Sequence, residues 1–209
     1  MKQRSIAAMQ AAVFVLCLLP LARLAAQGFS DGLGANPIEV ITHSTGWWAL
    51  TLLMATLAVT PLRKLSGQPW LIRFRRMLGL FAFLYATLHF VTYLWLDKFF
   101  DLGDIVKDVG RRPFITVGFT AFVLLIPLAV TSTRRMIQRL GGRRWQRLHR
   151  LVYVSAAAGG VHFLWLVKKD ISEPALFLCV LAALLGYRVL AWAWKARVQP
   201  RGRHATAAE

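Results

Sequence analysis

Apolar residues run along this chain in long blocks separated by short polar stretches. Six of the blocks approach the roughly 20 residues that a helix needs to cross a bilayer. They cover about 6–26, 41–60, 77–96, 114–131, 148–167 and 174–194. Pro20 and Pro127 fall inside blocks, which membrane helices tolerate, and Pro113 and Pro174 stand where a helix begins. There is no internal repeat, no low-complexity segment and no composition shift that would mark a second domain. Residues 1–209 are therefore expected to form a single all-α unit, a polytopic membrane protein built as a six-transmembrane-helix bundle.

The polar stretches carry the orientation. One set of block ends holds Lys2, Arg4, Arg63, Lys64, Arg73, Arg75 and Arg76. It also holds Arg134, Arg135, Arg139, Arg143, Arg144, Arg147, Arg150, Lys195, Arg197, Arg201 and Arg203. That makes 18 basic residues against one acid, Glu209. The other set holds Asp31, Glu39, Asp97, Asp101, Asp104, Asp108, Asp170 and Glu173, with six basic residues among them. The positive-inside rule makes the first side cytoplasmic, and six spans then place both termini there.

Composition agrees with this class and removes others. The 209 residues carry a net charge of +17, which alone would suit nucleic acid. A 57% hydrophobic content and a mean hydropathy of +0.51 do not fit that reading or intrinsic disorder. Cys17 and Cys179 lie inside apolar blocks, so no disulfide framework is indicated, and the absence of CxxCH argues against covalently attached haem. The first block is long enough to be a span rather than a cleaved signal. Trp47, Trp48, Trp95, Trp165, Trp192 and Trp194 lie near block ends, as interfacial belt residues do. Arg188 is the charge well inside the last block. It either snorkels to the cytoplasmic face or pairs with an acidic group of a cofactor.

Candidate chemistry rests with the histidines. His89 lies 13 residues beyond Arg76, roughly 20 Å from the cytoplasmic end of its helix. His162 lies 15 residues beyond Arg147 on a helix of the same direction, at similar depth. Two such residues could be satisfied core side chains or could ligate one iron from opposite faces. Bis-imidazole ligation fills both axial positions, as an electron-transferring b haem requires. Gly79, Ala82 and Ala86 beside His89, and Ser155, Ala158 and Gly159 beside His162, either leave a slot for a flat macrocycle or serve helix packing. His149, at the inner boundary, is a ligand of a second cofactor or a headgroup-level residue of a basic loop. His43 is a capping or interfacial residue or serves a haem propionate or the outer surface, and His204 fits a solvated tail.

The stretches NPIEVITHSTGWWAL, RRMLGLFAFLYATLHFVTYLWLD and GRRWQRLHRLVYVSAAAGGVHFLWLVK resemble the MsrQ (YedZ) family. The resemblance covers about 36–195. These are haem-binding membrane subunits of the bacterial periplasmic methionine sulfoxide reductase system, within the ferric-reductase-like transmembrane group. The resemblance implies six helices in the inner membrane and b haem, with FMN as a second cofactor. It also implies electrons drawn from the quinone pool or a soluble flavin reductase on the cytoplasmic side and delivered to a periplasmic molybdopterin reductase, MsrP. The family's three implicated histidines match His89, His149 and His162. Two-haem relatives in the wider group carry two histidines on each of two helices. Here the fifth block holds both His149 and His162, and Arg75 and Arg76 stand where the third would carry its second ligand. A conventional inner bis-histidine haem is therefore not expected. Arg75, Arg76 and Arg150 are candidates for the FMN phosphate, which guanidinium groups suit.

A quinol-oxidising cytochrome b of another respiratory complex is the alternative on the residues alone. A non-redox transporter would carry no chromophore. Fifteen residues follow Trp194 and no GxGxxG motif is present, so electrons are expected from a separate donor. Asp101, Asp104, Asp108 and Asp170 offer either a docking surface for the electron acceptor or ordinary solvated loops.

Overall fold

The computed structural model describes residues 3–198. Lys2, Arg201, Arg203, His204 and Glu209 lie outside the described residues. Among the described residues every regular element is helical.

Helix α1 spans Gln3–Phe29. Pro20 cannot donate to the helical ladder, and Tyr85 enters the break. Its hydroxyl donates to the Cys17 carbonyl at 2.8 Å and accepts from the Leu21 amide at 3.2 Å. Helix α2, Pro37–Ser66, starts at a strong signal. Asn36 accepts from the Glu39 amide and donates to its carboxylate at 2.8 Å, and Pro37 takes the first helical position. It ends at Gly67, whose φ of 68° suits a left-handed cap.

A 3₁₀ turn over Pro69–Leu71 leads into α3, Ile72–Thr92, which runs on into a π turn over Tyr93–Asp97. Phe99 and Phe100 then adopt left-handed φ values of 47° and 60°. Such geometry costs roughly 1–2 kcal/mol per non-glycine residue. Helix α4, Leu102–Arg111, is short and amphipathic, and its N-cap Asp101 accepts from the Asp104 amide at 3.0 Å. Lys98 Nζ meets Asp108 Oδ2 at 2.6 Å and ties the turn to this helix.

Helix α5, Pro113–Val130, has Pro113 at its first position. Two short helices of about two turns each follow, α6 over Arg134–Leu140 and α7 over Gly142–Leu148, joined at Gly141. Helix α8 covers Leu151–Leu166 and α9 covers Ser172–Val198.

The helices pair as α2 with α3 and α5 with α8, with α9 against α8 and α2. Helix α2 is the hub: half of its most apolar window is buried, against 6% for α9. The core gathers Leu50, Leu53 and Leu57 of α2 with Phe81, Ala82 and Tyr85 of α3 and Val152 and Ala156 of α8. Around it, side chains such as Leu190 and Trp192 are 71% and 72% exposed. That surface suits lipid rather than water.

Five helices are long and apolar enough to cross a membrane: Gln3–Phe29, Pro37–Ser66, Pro69–Asp97, Pro113–Val130 and Ser172–Arg197. The chain is a multi-pass membrane protein. The fifth predicted block is shorter than expected. Helix α8 has 16 residues, about 24 Å, against a hydrocarbon core of about 30 Å. It begins at Leu151, so His149 stands in the turn before it and the expectation that both histidines share one helix is corrected. The cause is local. The His149 amide closes α7 by donating to Trp145, and the next turn restarts with Arg150 donating to Arg147.

Several of the small residues serve packing rather than opening a slot. Gly79 faces Thr56, Gly159 faces Leu50, and the Ser155 hydroxyl donates to the Ala121 carbonyl at 2.8 Å. Trp95, Trp165, Trp192 and Trp194 are exposed as belt residues should be. Trp47 and Trp48 instead pack edge to face, and Trp48 lies on the core beside Tyr85. Arg188 is half-buried among protein groups. Its two terminal nitrogens donate to the carbonyls of Leu184 and Leu57, and its guanidinium lies over Tyr153 at 5.4 Å. Leu57 is the residue whose helical partner Pro61 cannot supply.

Candidate functional site

His89 and His162 come from different helix pairs and meet in the middle of the bundle. Their ring centroids are 6.2 Å apart and their planes cross at 74°. Each is held in the same way. His89 Nδ1 donates to the Thr42 carbonyl on α2 at 2.9 Å, and His162 Nδ1 donates to the Phe114 carbonyl on α5 at 2.7 Å. A carbonyl can only accept, so the proton sits on Nδ1 in both rings. The lone pair is left on Nε2, which no hydrogen bond engages among the described residues.

The reason these carbonyls are reachable lies four residues further along each helix. Gly46 follows Thr42 and Gly118 follows Phe114. A helical side chain leans back over the preceding turn, so a residue at position i+4 covers the carbonyl at i. Glycine leaves that carbonyl open. A β-carbon on Gly46 would lie 3.0 Å from the His89 ring, and one on Gly118 would lie 2.6 Å from the His162 ring. The sequence reading missed both glycines. The signal was present as a glycine on each of two other apolar blocks, four residues after a backbone acceptor. It becomes legible only once the pairing of α2 with α3 and of α5 with α8 is known.

This pair fits a metal held between two imidazoles. A metal–imidazole bond of about 2.0 Å on each side, with the ring radius added, separates the ring centroids by about 6 Å. The fixed tautomer presents the ligating nitrogen, and the carbonyls play the orienting part that ligand histidines need. Among the described residues no group of three or more His, Cys, Asp or Glu side chains could chelate an ion. A two-histidine site therefore requires a group that brings its own equatorial ligands, as a porphyrin does.

His149 is built differently. Its Nε2 is 3.1 Å from Thr131 Oγ1, and that hydroxyl donates to the Pro127 carbonyl at 2.6 Å. Nε2 must then be the donor to Thr131, and the lone pair lies on Nδ1. Trp145 stacks on the ring at 3.9 Å and donates to the Thr131 carbonyl at 2.9 Å. His149 thus stands apart from the His89–His162 pair, just before the start of α8, near whose far end His162 lies.

The three candidate arginines do not form one cradle. Arg75 is partly buried toward Tyr153, Arg188 and His149, whereas Arg76 lines a groove beside α1, and Arg150 is exposed. His43 is exposed near the start of α2 with its ring 6.2 Å from Phe163.

The chain is an all-helical membrane bundle with two backbone-oriented imidazoles facing each other inside it. The family model described as ferric reductase like transmembrane component matches residues 45–160, from Thr45 on α2 to Gly160 on α8. His89 falls within that range and His162 two residues beyond it.

Curated relatives carry the name protein-methionine-sulfoxide reductase heme-binding subunit MsrQ. The protein of Herminiimonas arsenicoxydans is 60% identical over 187 residues, 88% of this chain and 85% of the relative. That of Ralstonia nicotianae is 55% identical over 194 residues, 92% and 89% of the two chains. That of Bordetella pertussis is 51% identical over 196 residues, 93% and 94% of the two chains. The chain belongs to the ferric-reductase-like transmembrane family and, within it, to the MsrQ family.

Proposed function

We propose that this chain is the b-haem electron-transfer subunit of a methionine sulfoxide reductase system in the bacterial inner membrane. It passes electrons from the quinone pool or a cytoplasmic flavin reductase to a periplasmic molybdopterin reductase of the MsrP kind. In this reading α8 completes six spans and both termini are cytoplasmic, as the distribution of arginines requires. The observation that carries the reading is the His89–His162 pair, with its centroids 6.2 Å apart and both Nδ1 protons given to backbone carbonyls. The names of the relatives supply the system.

His89 and His162 would hold the haem iron through Nε2. The haem iron, when bound, supplies reversible one-electron chemistry. The Thr42 and Phe114 carbonyls hold the rings in one tautomer and one orientation, ready to present Nε2 to the iron. Gly46 and Gly118 keep the approach open. The surrounding apolar side chains exclude water. No bond-making substrate chemistry is required of this chain, and repair of oxidised methionine belongs to the partner.

FMN belongs on the inner side, where Arg75 lies toward His149 and Arg150 follows it in the chain. Arg76 is turned away to α1, so the phosphate would meet Arg75 and Arg150 rather than all three. Flavin fluorescence of the extracted protein after full cofactor loading tests this, and its absence removes FMN from the scheme.

The decisive experiment for haem is the absorption spectrum of the detergent-purified protein from haem-replete cells, with His89→Ala and His162→Ala beside it. The wild type should show a b-type Soret band, and each variant should lose most of it. A colourless wild type would overturn the conduit reading. Unchanged haem content in both variants would overturn the ligand assignment.

A further inference from the structure

Between the inner half of α1, the first turns of α3 and the start of α6 lies a groove of about 980 Å³. Its mouth carries Arg73, Arg76 and Arg134 and no acidic residue. Its walls are apolar, formed by Phe14 and Leu18 of α1 and Leu80 and Leu84 of α3. Phe14 and Phe81 meet edge to face at 5.1 Å where α1 approaches α3. The Tyr85 bond to Cys17 holds α1 to α3 further out, so the groove opens toward the cytoplasmic side.

We infer that this groove seats an anionic phospholipid of the inner leaflet, its phosphate among Arg73, Arg76 and Arg134 and its acyl chains along Phe14, Leu18, Leu80 and Leu84. Three features select this occupant. The guanidinium groups face a phosphate-level position with no carboxylate to neutralise them, so a negative headgroup is favoured over a neutral one. The polar-to-apolar gradient runs the length of the groove, which a soluble phosphate does not use. Leu84 stands 11 residues beyond Arg73, about 16 Å along the helix, and half of the hydrocarbon core is about 15 Å. The groove is thus one leaflet deep. The inference is independent of the haem reading, since none of these residues touches His89 or His162.

The test uses the full chain, purified in mild detergent. Native mass spectrometry and lipid extraction measure retained phosphatidylglycerol against phosphatidylcholine. Thermal unfolding is followed after adding back each lipid or inorganic phosphate. The wild type should retain phosphatidylglycerol selectively and be stabilised by it more than by phosphatidylcholine or by phosphate. Arg73→Gln with Arg134→Gln should lower phosphatidylglycerol retention about tenfold or more. Leu80→Trp, which narrows the groove and leaves every arginine in place, should lower retention of both lipids. Equal retention of the two lipids by the wild type would overturn the inference, as would full phosphatidylglycerol retention by the double variant. Equal stabilisation by inorganic phosphate would show a soluble-phosphate site instead and also overturn it.

Discussion

Gly118→Ala is the smallest change that should disturb the paired imidazoles. The added methyl group would lie 2.6 Å from His162 Nδ1, 2.8 Å from Cε1 and 2.9 Å from Cγ. Ordinary contact lies near 3.5 Å, so the ring must retreat from α5 by about 0.9 Å. The Phe114 carbonyl is on the same helix. Retreat stretches the 2.7 Å bond to roughly 3.6 Å, beyond a useful hydrogen bond. Losing the group that orients a ligating histidine typically costs about 10–100-fold in affinity for the metal group, or about 1.4–2.8 kcal/mol.

Gly46→Ala brings its methyl only to 3.0 Å from the His89 ring, so a shift near 0.5 Å suffices and less than tenfold should be lost. Both changes place alanine where a helix otherwise prefers it over glycine by roughly 0.5–1 kcal/mol, so general unfolding is not the expected failure. The assay is titration of haem into protein purified from haem-starved cells, followed by the Soret band, with thermal unfolding of the haem-free variants as the folding check. Wild-type affinity in Gly118→Ala, or a larger loss in Gly46→Ala, would refute the argument from the open carbonyls.

Other outcomes follow from other contacts. Arg188→Leu leaves the Leu57 carbonyl, deprived by Pro61 of its helical donor, without a partner in a low-dielectric setting. About 1–3 kcal/mol of stability should go, seen as a lower unfolding midpoint in detergent, with Arg188→Lys recovering part. Between α3 and α5, the Lys98 ammonium bonded to Asp108 holds that carboxyl below the usual carboxylate range, and the same bond holds Lys98 above the usual lysine range. The contribution of the pair is complete above the ordinary carboxylate pKa of about 3.9 and is lost as pH falls through the depressed value. It is also complete below the ordinary lysine pKa of about 10.4 and is lost as pH rises through the raised one. Amide-exchange protection of α4, corrected for intrinsic rate, should be flat between those limits, and Asp108→Asn should lower it throughout. Protection in α4 that titrates near neutrality would contradict the pairing.

The spans were legible in the sequence because hydrophobic length is a local property. Each predicted block overlaps a helix, and the ends differ by a few residues where Asn36, Pro37 and Gly67 set the boundary. The short helices were not legible. Helix α4 reads as a polar loop because its amphipathic stripe is only ten residues long, and α6 and α7 are hidden in a run of arginines. The equal depth of His89 and His162 could be counted along the chain. Their partners could not, because Thr42 and Phe114 act through backbone atoms that carry no mark in the sequence. Small residues misled for a related reason. Gly79 and Gly159 stand on the histidine helices and looked like the slot, yet they pack on α2, while the glycines beside the imidazoles stand on the facing helices.

That division says how such a site can be built in a bilayer. An imidazole in hydrocarbon must give its N–H to something, and an acid there would carry a large desolvation cost. Helix carbonyls are already present and have a second lone pair free, but side chains usually cover them. A glycine one turn later uncovers one carbonyl, adds no charge and keeps the helical bond intact. Used on α2 and again on α5, it fixes two tautomers with neutral acceptors only. A carbonyl raises the basicity of a ligating imidazole less than a carboxylate would. The oxidised form of a metal held here would therefore be favoured less, and its reduction potential would be higher, than in a carboxylate-backed site. Replacing Gly46 or Gly118 by aspartate would not recover that balance, since the new charge would bias the ligand and its bulk would displace the ring.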